Sequence, residues 1–321
     1  MADTKHYVRD DVRGFLDMLE QLGRPGVEAQ PVAEGREAMR MLGTLAEAPP
    51  RDLAVIRDLA CPGPAGDIPL RLYDSRETRE PGPCVVFFHG GGFVIGDLGV
   101  YHAFCTELSH QLDLPVVSVD YRLAPEHRFP AAPDDCEAAA RWIATGPAEL
   151  GREVTGLVLS GDSAGGNLTI VTANQLGAQP AAVPVIVQAP IYPVADDIRE
   201  HRSLKDFFEG FFLTGAAMAW FTEQYGGDPA DPRHTPMAAG DLAGTPPTVL
   251  CTAGLDPLRD SGRNYAAHLI GLGVDVTYFE FAGNIHGFIT LRKAIPSGQK
   301  DIDSFIAAIR LMLDRRASRG T

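Results

Sequence analysis

Apolar residues in this chain recur with two different periods, and the change between them divides it. Val8, Val12, Phe15, Leu16 and Leu19 follow the spacing of one helical face, with charged residues between them. Gly23-Arg24-Pro25-Gly26 stops that helix. A second helix is predicted from about Val32 to Ala46, with Met39, Leu42 and Leu45 on one side and Pro49-Pro50 past its end. No strand lies between the two to cover their apolar faces, so both must dock on something later in the chain.

From about residue 53 the pattern changes to short apolar runs bounded by Gly and Pro. The clearest are Cys84–Phe88, Val116–Val119, Leu157–Leu159, Val183–Gln188, Val249–Thr252 and Val276–Phe281. Amphipathic stretches separate them: Tyr101–Leu112, Asp134–Thr145, Ala164–Leu176 and Arg259–Leu272, with a terminal helix over about Asp301–Arg315. Strands that are apolar throughout and alternate with helices predict an α/β fold with a mostly parallel sheet covered on both faces. The stretch from Tyr192 to Thr248 breaks this rhythm. It is too long for a plain connection and is dense in aromatics: Phe207, Phe208, Phe211, Phe212, Trp220, Phe221 and Tyr225. It reads as an insertion with its own helices, either burying an ordinary aromatic face or lying as an apolar lid over a pocket.

Composition narrows the function classes. At 321 residues and roughly 150 per domain, the chain holds either two domains or one enlarged α/β domain. Hydrophobic residues make up 45%, enough for a sizeable core. Lys+Arg number 28 against 42 Asp+Glu, a net charge of −14, and such a surface repels a phosphate backbone, which argues against nucleic acid as a partner. The residues Met1 to Asp11 carry no apolar signal-like core, and no run approaches 18 apolar residues, so neither secretion nor stable membrane association is expected. Five scattered cysteines without a CxxC read as reduced thiols, and the expected location is cytoplasmic.

The strongest chemical signal is Gly161-Asp162-Ser163-Ala164-Gly165. It follows the apolar run ending at Ser160 and opens a helical stretch, the strand–turn–helix context that presents a serine Oγ at the edge of a sheet. Directly after Cys84–Phe88 comes His89-Gly90-Gly91-Gly92. Consecutive glycines leave backbone N–H groups unscreened, so those of Gly91 and Gly92, with that of Ala164, form a predicted oxyanion hole. His89 reads as a residue that ties this loop down. No phosphate-loop or dinucleotide glycine pattern occurs, which weakens a nucleotide-binding reading.

A serine nucleophile needs a base and an acid to orient it. His286, in Ala282-Gly283-Asn284-Ile285-His286-Gly287-Phe288, follows the last apolar run, where the order Ser…Asp…His places a base. Asp256 follows the run ending near Ala253, at a strand's carboxyl end. Asp260, in the first turn of the next helix, and Asp196 and Asp197, after the preceding strand, are the alternatives, and Asp256 ranks ahead of them.

Five motifs in this order resemble those of the hormone-sensitive-lipase-like esterases of the α/β-hydrolase superfamily. They are His89-Gly-Gly-Gly92, Tyr121-Arg-Leu-Ala-Pro-Glu126, Gly161-Asp-Ser-Ala-Gly-Gly166, Asp256-Pro-Leu-Arg-Asp260 and His286-Gly-Phe288. The resemblance runs from about residue 53 to the C-terminus and, with the two N-terminal helices, covers essentially the whole chain. It implies an α/β-hydrolase fold with a mostly parallel central sheet flanked by helices and a helical cap. The cap would comprise residues 1–52 and 193–230, the catalytic domain 53–192 and 231–321.

The resemblance also implies Ser163 as nucleophile, His286 as base, Asp256 as orienting acid, and Gly91, Gly92 and Ala164 as oxyanion donors. The expected function is hydrolysis of short- to medium-chain or aryl esters through an acyl-enzyme, with a small-molecule ester as partner and no metal or organic cofactor. Phe207, Phe208, Phe211, Phe212 and Phe288 are the expected substrate-binding residues. A homodimer through the edge strand near Val276–Phe281 is a family-level expectation. Asn284 departs from the family, which carries an apolar residue there, and is expected to alter the acyl or alcohol pocket. Amide cleavage or deacetylation remains an alternative for the same machinery. Some relatives bind ligands as receptors and lack the base, whereas this chain has His286.

Overall fold

The computed structural model describes residues 6–23 and 25–319. Eight strands form one sheet: β1 (Val55–Gly63), β2 (Gly66–Asp74), β3 (Gly82–Phe88), β4 (Val116–Val119), β5 (Val154–Asp162), β6 (Val185–Ile191), β7 (Thr248–Leu255) and β8 (Val276–Ile285). Their spatial order is β1-β2-β4-β3-β5-β6-β7-β8, antiparallel at β1/β2 and β2/β4 and parallel from β4 to β8. The parallel part matches the sequence reading, because its strands are buried on both faces. In β3, Cys84, Val86 and Phe88 enter one core while Val85 and Phe87 enter the other. Helix α4 (Ala131–Ala144) and helix α5 (Ala164–Ala178) cover the first face, and α3 (His102–Leu112) packs with α9 (Gly298–Arg319) over the second.

The β1–β2 hairpin escapes the apolar-run pattern for a physical reason. As an edge strand, β1 is largely open to solvent, and Arg57 and Asp58 dilute its apolar residues. Asp58 forms an ion pair with Arg71 across the hairpin instead. The strand turns back through a two-residue connection, with Gly63 opposite Gly66.

Helices α1 (Asp10–Leu22) and α2 (Val32–Ala46) find their partner late in the chain. Val12, Phe15 and Ala46 share a core with Phe207, Phe211, Leu255, Ile285, Leu291 and Ile295. Just past α2, Glu47 forms a buried ion pair with Arg292, and the amides of Lys293 and Ala294 both donate to the Ala46 carbonyl. Arg292 also reaches Glu107 at 3.2 Å. Between β6 and β7 the chain forms α6 (Arg202–Asp206) and α7 (Gly215–Tyr225), and α8 (Arg259–Gly271) follows β7. Among the described residues no helix is long and apolar enough to cross a membrane, and the five cysteines are all buried and unpaired.

Candidate active site

Strand register assembles the site. Phe88 pairs with Gly161, so the loop after β3 and the turn after β5 leave the sheet side by side. Leu255 pairs with Ile285, so the residues that follow, Asp256 and His286, also emerge as neighbours.

At the turn after β5, Ser163 has φ 55° and ψ −117°, a strained conformation, and its N–H donates to the Ile191 carbonyl at 2.9 Å. The turn is tight enough to demand glycine: a Cβ on Gly165 would lie 1.9 Å from the Phe88 carbonyl oxygen. His286 bridges to Ser163, with Nε2 2.8 Å from the serine Oγ. Its Nδ1 donates to Asp256 Oδ2 at 2.7 Å, and Asp256 Oδ1 accepts the Leu258 amide at 2.8 Å. Asp256 is fully buried and His286 nearly so. A serine hydroxyl against an imidazole that is itself oriented by a buried carboxylate is the arrangement for proton transfer from the serine.

The alternative acids do other work. Asp260 accepts the Ser203 amide at 2.9 Å and pairs with Arg259 and Arg263, joining α6 to α8. Asp196 accepts from Ser261 Oγ at 2.6 Å, and Asp197 caps a short turn at Arg199.

The glycine loop lies beside Ser163. Among the described residues no backbone or side-chain acceptor engages the amides of Gly91 and Gly92. Ala164 opens α5, where helix geometry leaves the N–H without an intrahelical partner. All three residues line a cavity of about 1630 Å³ that also exposes Ser163 and His286. His89 ties the loop down, as its position suggested. Its Nδ1 donates to the Gly90 carbonyl at 2.7 Å and its ring stacks on Tyr121 at 4.3 Å, while burial holds its pKa below the ordinary histidine value.

Asp162 is the residue that sequence reasoning passed over. It is buried and accepts from the Gly90 amide at 2.7 Å, Tyr101 Oη at 3.1 Å and Tyr192 Oη at 3.2 Å. Its signal was present: a carboxylate closing an otherwise apolar strand, immediately before the serine. Phe93 and Phe221 were also missed as elements of the loop's packing. Phe93, at φ 64°, stacks on Tyr225 of α7 at 3.9 Å, and the Phe221 ring lies against Gly92.

The five phenylalanines expected to bind substrate divide. Phe211 and Phe212 line the cavity, and Phe212 sits next to Gly287 and against Phe15. The other three are corrections. Phe207 is core, packed on Phe211 and under the Arg259 guanidinium. Phe208 points to solvent beside Gly215. Phe288 is buried against Tyr192 and Phe281 in the core beneath the sheet. Asn284 is a fourth correction: fully buried, it bonds Asp301 Oδ2 at 2.8 Å and lies outside the cavity wall.

Comparison with known proteins agrees with this fold. A family model described as the alpha/beta hydrolase fold matches residues 85–290. The chain is 38% identical to the carboxylic ester hydrolase LipN of Mycobacterium tuberculosis over 81% of this chain and 71% of that protein. It is 32% identical to an arylesterase of Saccharolobus solfataricus over 87% and 91%. Among solved structures, the ester-hydrolase EH1AB1 from the Lake Arreo metagenome, complexed with a bipyridine phosphonate derivative, superposes with a TM-score of 0.90. It shares 37% identity and covers 98% of this chain and 100% of its own. The chain belongs to the α/β-hydrolase fold family, among its hormone-sensitive-lipase-like carboxylic ester hydrolases.

Proposed function

We propose that the protein hydrolyses short- to medium-chain or aryl esters by acyl transfer through Ser163. His286 Nε2 takes the serine proton as Oγ attacks the ester carbonyl, and Asp256 holds the imidazole in the correct orientation and stabilises its protonated form. The N–H groups of Gly91, Gly92 and Ala164 receive the oxyanion. Loss of one such donor costs about 3 kcal/mol in related chemistry. His286 then returns the proton to the leaving alcohol, and water resolves the acyl-enzyme by the same steps in reverse.

The observation that carries this reading is the continuous hydrogen-bonded row Asp256–His286–Ser163, opening on the cavity. Leu16, Leu19, Met39, Phe212, Met218 and Phe221 give that cavity apolar walls, which favours uncharged acyl and alcohol groups. All six lie in residues 1–52 and 193–230, which we read as one cap over the catalytic sheet. Relatives carry the names carboxylesterase and arylesterase, which supports the same substrate class. Ser163→Ala, assayed on p-nitrophenyl esters from acetate to octanoate, is expected to abolish turnover with the fold intact. Turnover near the wild-type level overturns the assignment.

A further inference from the structure

The surroundings of Asn284 give it work to do away from the cavity. It is the penultimate residue of β8, two residues before His286, and is fully buried. Its Oδ1 accepts the Ile285 amide at 3.0 Å, and its Nδ2 donates to Asp301 Oδ2 at 2.8 Å. Asp301 stands in the first turn of α9, and its carboxylate takes a fork from Arg9: Nη1 to Oδ2 at 2.7 Å and Nη2 to Oδ1 at 3.1 Å. The pair is largely shielded from solvent.

Arg9 reaches the same strand end by two further bonds. Its Nε donates to the Ala282 carbonyl at 2.9 Å, and its backbone N–H donates to the Gly283 carbonyl at 3.3 Å. One arginine thus grips three consecutive residues, Ala282 and Gly283 directly and Asn284 through Asp301, just ahead of Ile285 and His286. One step on, Asp11 accepts both the amide and the hydroxyl of Ser297, at 2.7 and 3.0 Å. None of Arg9, Asn284 and Asp301 lines the cavity. Their influence on the reaction therefore runs through the His286 loop and not through substrate contact.

We propose that Arg9, Asp301 and Asn284 form a positioning relay for His286, so that docking of the N-terminal segment completes the alignment of the base. The guanidinium fork fixes the Asp301 carboxylate, the carboxylate fixes the Asn284 amide, and the amide holds the backbone at Ile285. A small displacement of a proton-transferring group is expensive, since about 1 Å of misplacement costs on the order of 100-fold in rate. The inference rests on the reading of His286 as the base.

The test compares Arg9→Gln, Arg9→Lys, Asn284→Ala and the double variant Arg9→Gln/Asn284→Ala with the wild type. Turnover is followed on p-nitrophenyl butyrate and octanoate, with thermal unfolding as the check on folding. Phosphorylation of Ser163 by diethyl p-nitrophenyl phosphate reports the serine–histidine pair without any deacylation step. Arg9→Gln and Asn284→Ala are each expected to lower kcat by about 10-fold at unchanged KM on both esters, and to slow phosphorylation in parallel. The double variant is expected to lose no more than Arg9→Gln alone, because Asn284→Ala breaks only the branch through Asp301 that Arg9→Gln already releases, while Arg9→Gln also removes the direct bond to Ala282. Arg9→Lys keeps the charge but not the fork and is expected to fall between wild type and Arg9→Gln.

If Arg9→Gln folds poorly, Arg9→Ala with ethylguanidinium added below denaturing concentrations takes its place, and recovery of kcat is expected. Wild-type kcat in the single variants, a chain-length-dependent rise in KM, multiplicative losses in the double variant, or no recovery with ethylguanidinium each overturn the relay. His286→Ala separates the two levels. If it is inactive while the relay variants behave as wild type, only the relay fails. If it retains full activity, the reading of the base fails as well.

Discussion

Asp162 accepts the backbone N–H of Gly90 at 2.7 Å, which joins the residue before Ser163 to the residue before the amides of Gly91 and Gly92. The turn that carries Ser163 and the glycine loop are thereby held to one carboxylate. Burial pushes that carboxyl up to about 6, against the opposing influence of His286 and of the donors Tyr101, Gly90 and Tyr192. The unfolded value is about 3.9. The folded protein therefore binds the proton more tightly, and this contribution to stability is fully present below about pH 4 and lost as pH rises through about 6. The interval corresponds to roughly 2–3 kcal/mol. Asp162→Asn removes the titration, so the wild type's margin over the variant is expected to shrink by roughly 2 kcal/mol between pH 4 and 7. Denaturant unfolding of both proteins across that range measures it, and a margin independent of pH contradicts it.

Asp256 and Asp260 lie four residues apart and are expected to respond in opposite ways. Asp256→Asn alters the partner of His286 Nδ1 and is expected to lower kcat by on the order of 10⁴, with little change in folding. Asp260→Asn weakens the tie between α6 and α8 and is expected to cost about 1 kcal/mol of stability with turnover kept. Steady-state kinetics and chemical denaturation on the two variants decide. A larger kcat loss at Asp260 would reverse the assignment.

Gly92 has φ +61°, and a Cβ there would lie 2.3 Å from Phe221 Cγ. Gly92→Ala is expected to displace its amide and lower kcat by about 10² or more. Because the obstruction is a side chain, Gly92→Ala/Phe221→Ala is expected to regain part of the loss. A double variant no better than the single one points to backbone strain as the sole cause.

Phe212 and Phe207 separate lining from core. Phe212→Ala enlarges the cavity next to Gly287 and is expected to change KM across an acyl-length series with the melting temperature nearly unchanged. Phe207→Ala removes a buried ring and is expected to cost about 3–5 kcal/mol with the chain-length profile kept. The two effects exchanged between the variants would contradict the assignment of faces.

The parallel sheet was legible because its strands are buried on both sides, and continuous apolar runs such as Val116–Val119 declare themselves. Ser163, Asp256 and His286 were legible because strand ends and glycine turns mark where side chains enter the crevice. The β1–β2 hairpin was not, since a solvent-facing edge strand carries charge in place of an apolar run. Nor did sequence separate Phe207 from Phe208 or Phe211, because composition reveals aromatic density and not which way a ring points. Asn284 shows the same limit. Proximity in sequence to His286 suggested a pocket residue, and only the three-dimensional meeting with Arg9 and Asp301 places it behind the loop.

The N-terminal segment is tied to the stretch that carries His286 at both ends, by Arg9 to Asp301 and by Glu47 to Arg292, and between them α2 is tied to the chain beyond the glycine loop, by Arg36 to the Val94 carbonyl and by Arg40 to Asp97. The cavity wall formed by α1 and α2 thus shares its supports with His286, whereas Ser163 stands elsewhere, at the junction of β5 and α5. A disturbance that lifts the wall at either end is therefore expected to shift His286 relative to Ser163.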